Sequence, residues 1–449
     1  MIFSFVSCDN PTVIKHTVAF DTDGGSEIAT IEVVDGEKVA KPADPTKHGF
    51  LFAEWQLDEK TYDFASPVTK NITLKATWSV DERVWDGKAA DVTWYNEEST
   101  EFTLKNASEF AGLAKLVNGG NTFANKTVKL ADDIDLSSNE WTPIGLATEY
   151  VYETDENDSL KNLYSSDDSK FKIFAGTFDG QNHKISNLVA KKTRIATGLF
   201  GAVKNGSTIK NLVIENADIE CAFFGGSLLG YIPNEATKTE NKTTIENIVV
   251  QGDVKVLGAA SYGGLIGRNE TKTVMEIKKS KIVASEDSAV SMYEGGLIAG
   301  GFIGAAYGQD TLIEECSSNL SITGCVQAIG GLVGHMEDGQ IINSSVSGTV
   351  KLIPDANATK TYWGYDQYGI GAFIGTVDGS AKATTDGSIP AKKTNEIVIQ
   401  GCTSTAKVET KTYDGEPLFF GGLVGTIRNT LENSTYAGVN AKNIVTITE

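Results

Sequence analysis

A chain of 449 residues is too long for one compact core, so it must divide into domains or extend through a repeat. With 59 acidic against 39 basic residues, its formal charge of −20 disfavours nucleic acid and anionic membrane surfaces as partners. The five cysteines form no Cys-x-x-Cys pair and the four histidines show no ligand spacing, which argues against structural zinc.

The N-terminus is a short apolar run that ends in Ser7-Cys8, directly before the polar residues 9–11. It resembles the end of a bacterial lipoprotein signal peptide, in which a small residue precedes a lipid-modified cysteine. A complete signal also has a basic region and a longer apolar region, so we expect the native start to lie upstream. The resemblance implies lipidation of Cys8 and export to the outer membrane or cell surface, with residues 1–15 as signal remnant and linker. The alternative is a free N-terminus with an incidental cysteine.

Residues 16–79 alternate in short β-type runs that are separated by Asp-Gly turns. The order FDTDGGS, KPADPTKHGFLFAEW and PVTKNITLKATW resembles the Listeria–Bacteroides repeat of internalin-type surface proteins. That resemblance implies a ubiquitin-like β-grasp domain, which serves as a spacer or adhesion accessory and brings no catalytic residue. Its expected core consists of Phe20, Phe52, Trp55, Tyr62 and Trp78.

Residues 80–148 contain a helical pattern, with apolar residues at 110, 113, 114 and 117 on one face. Ser108 is the expected N-cap, and Gly119 the expected left-handed residue after the helix. We predict that this helix covers the first coil of the repeat that follows. The stretch SEFAGLAKLVNGGNTFANKTVKLADDIDL, with EWTPIG and GTFDGQNHKISNL, resembles the opening segment of GLUG-type surface proteins.

From residue 176 onward, within the region 149–449, the chain repeats a glycine motif of the form Gly-Gly-Leu-Ile/Val-Gly. The spacing between the final glycines of successive copies varies from 29 to 50 residues. The copies lie at 198–201, 225–230, 263–267, 301–304, 330–334, 371–375 and 421–425. This pattern resembles the GLUG motif of Bacteroides-type surface proteins.

A second pattern interleaves with the glycines: an apolar residue, two mostly polar residues, and a closing small or apolar residue. Such units are too short to bury their own apolar face, but stacked in parallel they share one core. The patterns together predict an all-β chain, a small β-grasp domain followed by a right-handed parallel β-helix with a short capping helix. The copies begin at Ile185, Ile209, Ile245, Ile277, Ile313, Ile341, Ile399 and Leu431.

Two cysteines occupy the closing position of this pattern. Cys316 and Cys402 have Ser344 between them, so they lie two coils apart, or about 9–10 Å. A disulfide needs Cα atoms within about 7 Å, so we expect buried thiols that act as small fillers. Cys221 and Cys325 stay unassigned.

The sequence offers no catalytic, cofactor-binding or metal-binding set. The outward positions of the repeat alternate in sign, which is typical of a solvated face with cross-strand pairs. They are Lys210, Glu246, Lys278, Glu314, Gln400 and Glu432. Asp179 and His183 lie in an Asp-Gly turn, and Asp132, Asp133 and Asp135 lack the spacing of a calcium loop.

An aromatic insertion between two intact repeats is the candidate ligand-binding segment. It contains Tyr362, Trp363, Tyr365 and Tyr368, and a second tyrosine-bearing insertion lies at 149–164. Aromatic rings beside carboxylates and amides are a common sugar-binding surface, because the C–H faces of sugars stack on rings. The alternative is that these rings pack their own loop onto the coil.

These patterns favour a non-catalytic, adhesin-like surface protein that engages host or dietary glycans or an extracellular protein. It would bind no nucleic acid and would contact the membrane only through the N-terminal lipid anchor. Two alternatives stay open. One is a structural spacer or stalk, and the other is a polysaccharide-active β-helix enzyme.

Overall fold

The computed structural model describes most of the chain in two compact units, Met1–Val84 and Trp85–Glu449. The predicted lipidation residue Cys8 lies outside the described residues, as do Tyr362, Trp363 and Tyr365. The described ranges are 13–146, 171–191, 195–233, 241–270, 273–292, 297–308, 310–324, 328–352, 368–378, 394–410, 418–428 and 442–448.

The first unit is a five-stranded mixed sheet. Its strands are, in chain order, Lys15–Asp21, Ile31–Val34, Phe50–Leu57, Lys60–Thr61 and Ile72–Val80. Their order across the sheet is second, first, fifth, third, fourth, and the first and fifth strands run parallel at its centre. This order confirms the β-grasp arrangement. Residues 35–49, where such a domain would hold its helix, are extended or turn.

The core of the first unit centres on Trp55, which is 2% exposed. The other four aromatic residues predicted for this core, Phe20, Phe52, Tyr62 and Trp78, pack against it while partly buried. Val39 and Val68 are also buried there, so extended chain fills space that a helix would occupy. The predicted core is confirmed.

The second unit is a parallel β-helix with three faces, which confirms the predicted fold class. Each full coil crosses a long face, then a second face, then a third face. Strands of the long face are Glu101–Leu104, Thr127–Leu130, Ile134–Asp135, Thr177–Asp179, Lys184–Ala190, Thr208–Glu220, Lys242–Gly258, Val274–Lys278, Lys281–Ala284, Ala289–Met292, Thr311–Glu314, Ser317–Ser318, Ser321–Gly324, Gly339–Ile342, Ser345–Val346, Thr349–Leu352, Thr394–Gln400, Thr403–Ser404, Lys407–Thr410 and Lys442–Thr448.

The other two faces have seven short strands each, which pair in parallel from coil to coil. The second face consists of Ala196–Thr197, Phe224–Gly225, Ser261–Gly263, Ile298–Gly300, Ala328–Gly330, Tyr368–Gly371 and Leu418–Gly421. The third face consists of Phe200–Ala202, Leu229–Ile232, Ile266–Asn269, Ile303–Ala306, Val333–Met336, Ile374–Asp378 and Val424–Arg428. Each glycine motif therefore spans the bend between these two faces.

The glycine that closes the motif brings the third face against the second face of the preceding coil. A Cβ atom at Gly334 would lie 2.6 Å from the carbonyl oxygen of Gly304 and 2.7 Å from that of Ala299. A side chain at that distance from backbone cannot be accommodated without moving the coils apart. This explains why all seven copies end in glycine, whereas the second position accepts Ala372.

The isoleucine ladder has the predicted register over its middle. Ile209 pairs with Ile245, and the row continues without a slip through Ile277, Ile313, Ile341 and Ile399. The register predicted for the first copy was wrong, because Ile185 pairs with Ile214. Strand Thr208–Glu220 contains two copies of the pattern, and Ile185 belongs to the second ladder beside the first.

The last predicted copy, Leu431, lies outside the described residues, and Ile447 occupies the rung after Ile399. The third residue of the pattern turns the chain in the left-handed region. Asn211, Asn247 and Asn343 have φ of 53°, 54° and 48° there, a conformation that asparagine tolerates well.

The helix spans Ala107–Asn118 and buries Phe110, Leu113, Ala114 and Val117 in the same core as the coils, as predicted. Phe110 stacks on Trp141 with ring centroids 5.1 Å apart. Both predicted end residues were wrong. Asn106 is the N-cap and accepts the amide of Glu109, and Gly120 rather than Gly119 has positive φ. Ser108 instead accepts the amide of Asp91, so its hydroxyl serves a neighbouring loop.

Candidate functional site

A groove lies on the outside of the long face in the described part of the second unit. Its cavity holds about 400 Å³ and crosses four successive coils. We call it the hydroxyl groove, because most of its lining side chains carry a hydroxyl or amide group. It is lined by Ile282, Val283, Ser317, Ser318, Asn319, Ser345, Val346, Ser347, Thr403 and Thr405.

Coil stacking arranges these side chains in two rows. Ser317 pairs with Ser345, and Ser345 pairs with Thr403, which gives one row along the coil axis. The second row contains Asn319, Ser347 and Thr405, whose amides donate to equivalent carbonyl oxygens one coil earlier. Neighbouring members of a row are therefore one strand spacing apart, about 4.8 Å.

The floor and one wall of the groove are fixed. Ile282, Ser318 and Val346 are almost fully buried beneath it. The Asn319 side chain accepts the amide of Ala284 at 2.8 Å and donates to the Ala284 carbonyl at 2.9 Å. Val283, in contrast, is 50% exposed, so an apolar side chain lies open to solvent beside the hydroxyls.

The closing residues of the repeat form a ladder behind the groove, and Cys316, Ser344 and Cys402 each directly precede a groove residue in the chain. Ser344 Oγ accepts the amide of Cys316 at 3.1 Å, and Cys402 Sγ accepts the amide of Ser344 at 3.4 Å. Ser280 holds the same position one coil before Cys316. The ladder thus accepts hydrogen bonds from backbone amides at the bend, which holds the adjacent groove residues in register along the coil axis.

The thiols are free, as predicted for Cys316 and Cys402. Burial raises the pKa of Cys316 to about 12, and it also raises the pKa of the half-buried Cys402. Cys221 is a third free thiol, and burial raises its pKa to about 12. Cys325 lies outside the described residues.

None of the ten residues that line the groove is charged, and Lys281 pairs with Ser317 one coil before it. The row beside the groove is charged and internally paired. Lys210 lies 3.5 Å from Asp179, and Lys278 lies 3.9 Å from Glu314. The predicted alternation along Lys210, Glu246, Lys278 and Glu314 is confirmed by their register, with Ile342 and Gln400 next in the row. Glu432 lies outside the described residues.

Asp179 has the turn role predicted for it. Its carboxylate accepts the amide of Gln181 and the side-chain amide of Asn211, both at 3.0 Å. Burial raises the pKa of Asp179, but these hydrogen bonds and Lys210 outweigh burial and hold the pKa below its ordinary value.

A nearby cluster brings one ligand atom each of Asp132, Asp133 and His183 within 4.8 Å of one another. Asp133 also accepts the amide of Lys184 at 2.9 Å, and Asp135 accepts the amide of Ser137. These carboxylates hold turns of the first coils, which accounts for their position without a metal.

One feature that sequence reasoning missed is a buried ion pair between the second and third faces. Arg268 Nε donates to Glu270 at 2.8 Å, and Tyr231 donates to the same carboxylate at 3.0 Å. The guanidinium lies over the rings of Phe224 and Tyr307, 5.3 and 4.1 Å from their centroids. Arg268, Glu270, Tyr231 and Phe224 are all buried, so the ion pair is shielded from solvent.

The other feature that sequence reasoning missed is the hydroxyl groove itself. A signal was present, because Ser317, Ser345 and Thr403 each follow the closing residue of the repeat. Of the four predicted ligand-binding aromatics, only Tyr368 falls within a described element. Its backbone begins the strand Tyr368–Gly371 and pairs with Leu418.

Comparison with known families identifies two segments of the chain. Residues 16–77 match the Listeria-Bacteroides repeat domain, and residues 326–351 match the GLUG motif. Both predicted resemblances are confirmed, and the chain is a repeat protein that carries these two elements. Within the described residues, no helix has the length and apolar character of a membrane span.

Similar proteins share parts of the chain. Halomucin of Haloquadratum walsbyi is 28% identical over 181 residues, which is 38% of this chain and 2% of halomucin. A provisionally named membrane protein of Evansella cellulosilytica is 37% identical over 66 residues, 14% of this chain and 10% of that protein. A Gly-rich relative from the same organism, also provisionally named a membrane protein, is 35% identical over 65 residues, 14% of this chain and 8% of that protein.

Among solved structures, a provisionally named immunoglobulin A1 protease from Bacteroides ovatus is 17% identical, with a TM-score of 0.46. The match covers 74% of this chain and 85% of that one.

Proposed function

We propose that the protein is displayed on the cell surface as an adhesin-like binding protein, which engages a host or dietary glycan or an extracellular protein without catalysis. The observation that carries this proposal is the uncharged hydroxyl groove across four coils of the β-helix. The lining offers hydrogen-bond donors and acceptors together with apolar side chains. Among its ten described lining residues there is no carboxylate, histidine or cysteine that could act as an acid, base or nucleophile.

Binding is tested by screening the purified chain on immobilised glycans and extracellular matrix proteins, beside a Ser345→Glu variant. Ser345 lies at the centre of the groove, so a larger, charged side chain there should abolish retention of whichever ligand the chain binds. Retention of no ligand at all would favour the spacer or stalk. Turnover of a retained polysaccharide by the wild-type chain would favour the enzyme.

Surface display is supported by the Listeria-Bacteroides repeat and by relatives named as membrane proteins. Lipidation of Cys8 would supply the anchor. The gene with its upstream region, expressed in cells fed an alkyne fatty acid, should yield a labelled wild type and an unlabelled Cys8→Ser variant. Equal labelling of the two would mean that the cysteine is incidental.

The aromatic segment is a second candidate surface for the same class of ligand. Tyr362, Trp363, Tyr365 and Tyr368 place four rings within seven residues, and such a cluster would favour a partner if it were exposed. Trp363→Ala should weaken retention without lowering the melting temperature if these rings contact the ligand. A large loss of stability with intact binding would identify them as packing residues.

A further inference from the structure

The two rows of the hydroxyl groove give it a direction. Both rows run along the coil axis, and their members come from consecutive coils in one register. A ligand that uses more than one coil must therefore lie along the axis and present hydrogen-bonding groups at a repeat of about 4.8 Å. Extended β-linked polysaccharides advance by a distance of this order per sugar unit.

The chemistry of the lining is as informative as its direction. Seven of the ten lining residues are Ser, Thr or Asn, and the other three are Ile or Val. Hydroxyls and amides pair with sugar hydroxyls, while the exposed Val283 and the apolar floor suit the C–H face of a sugar ring. A peptide that binds by adding a strand would require a free strand edge, and the strands under this groove pair on both sides.

Charge disfavours the acidic members of the same class. None of the ten lining residues is a cation, and the full chain carries a net charge of −20. Lys281, which pairs with Ser317, adds a single cation at the first-coil end of the groove. A uronic-acid or sulfated polymer would lose water from all its anionic groups and gain few ion pairs in return.

We infer that the hydroxyl groove binds a linear, uncharged polysaccharide along the coil axis, with one sugar unit over each coil. This inference rests on the proposed binding function and names its ligand class. The lining residues belong to four coils, so the contact spans three strand spacings, about 14 Å. Affinity should therefore rise with chain length and level off at about four sugar units.

The test measures affinity of the full chain by calorimetry for cello-, xylo- and manno-oligosaccharides from disaccharide to hexasaccharide, with oligogalacturonates of matched length as acidic probes. At least one neutral series should bind with the predicted dependence on length. The acidic series should bind at least ten-fold more weakly. Equal or tighter binding of the acidic series, or affinity that does not depend on length, would overturn the inference.

Variants of groove residues test whether the oligosaccharide binds at the hydroxyl groove. Ser345→Glu and Thr405→Glu add a carboxylate at the centre and at the end of the groove, and Thr405 is exposed, so its variant should fold normally. Gln340→Glu adds the same charge on the same coil as Ser345, at an exposed position outside the groove. We expect at least a ten-fold loss of affinity in both groove variants and none in the control.

The same variants separate failure of this inference from failure of the proposed function. If no neutral oligosaccharide binds, but a matrix protein is retained by wild type and lost in Thr405→Glu, the binding function stands and the ligand class is wrong. If neither oligosaccharides nor matrix proteins are retained, both are wrong. Neutral-sugar binding that survives in both groove variants would place the site elsewhere and overturn the inference.

Discussion

Replacing the closing glycine of one motif tests how the faces of the β-helix pack. A Cβ at Gly334 would lie 2.6 Å from the Gly304 oxygen, 2.7 Å from the Ala299 oxygen and 2.7 Å from Ile298 Cγ2. Overpacking by one carbon usually costs about 1–3 kcal/mol. Two of these three atoms are backbone oxygens of the preceding coil that cannot rotate away, so we expect the upper end, about 3 kcal/mol.

The matched control is Gly422→Ala, in the last glycine motif. In the part of the chain that the structure describes, a Cβ at Gly422 would meet no atom within 4 Å, and its φ is not positive. That variant should stay within about 1 kcal/mol of wild type. At about 2–4 °C per kcal/mol, Gly334→Ala should lower the melting temperature by roughly 6–12 °C, measured by circular dichroism. Equal melting temperatures for the two variants would refute the close packing of the second and third faces.

Three further predictions concern local interactions. Cys316 should resist thiol reagents in the native state and react more slowly than Cys402 in peptide mapping, since burial raises its pKa to about 12. Cys316→Ser should change the free energy of unfolding little, and Cys316→Leu should lower it by about 1–3 kcal/mol through overpacking. Asn106→Ala should cost about 1 kcal/mol in urea unfolding by removing the N-cap, and no loss would contradict the cap. Hydrogen bonds from Lys184 and Gln251 hold the pKa of Glu215 below its ordinary value, so its stabilisation is present at neutral pH and is lost as the pH falls through the folded-state pKa. The stability gap between wild type and Glu215→Gln should therefore close on acidification, and a constant gap would contradict the pairing.

Much of the fold followed from periodicity. The isoleucine ladder, the closing cysteines and the core of the first unit were predictable, because each depends on a pattern that stacking or alternation imposes directly. The register error at Ile185 arose because strand Thr208–Glu220 contains the same short pattern twice. The sequence does not show which of the two copies pairs with Ile185. The cap was misplaced by two residues because Asn106 and Ser108 both suit the position, and only tertiary contacts decide between them.

The candidate site was less predictable than the fold. Serine and threonine outside a catalytic motif are typical of an ordinary protein surface. Ser317, Ser345 and Thr403 share a position in the repeat, but the sequence does not show that they line a groove. Arg268 likewise reads as a scattered cation, since the rings of Phe224 and Tyr307 come from different coils. Properties that follow from the repeat pattern were therefore predictable, while those that depend on which side chains of different coils meet needed the structure.

The most direct test of the account is a crystal structure of the chain with a retained neutral oligosaccharide. The account predicts a sugar chain along the coil axis over residues 317–319, 345–347 and 403–405, with one unit over each coil and hydrogen bonds to Ser345 and Ser347. A sugar bound across the coils, or at the aromatic segment with the hydroxyl groove empty, would contradict it.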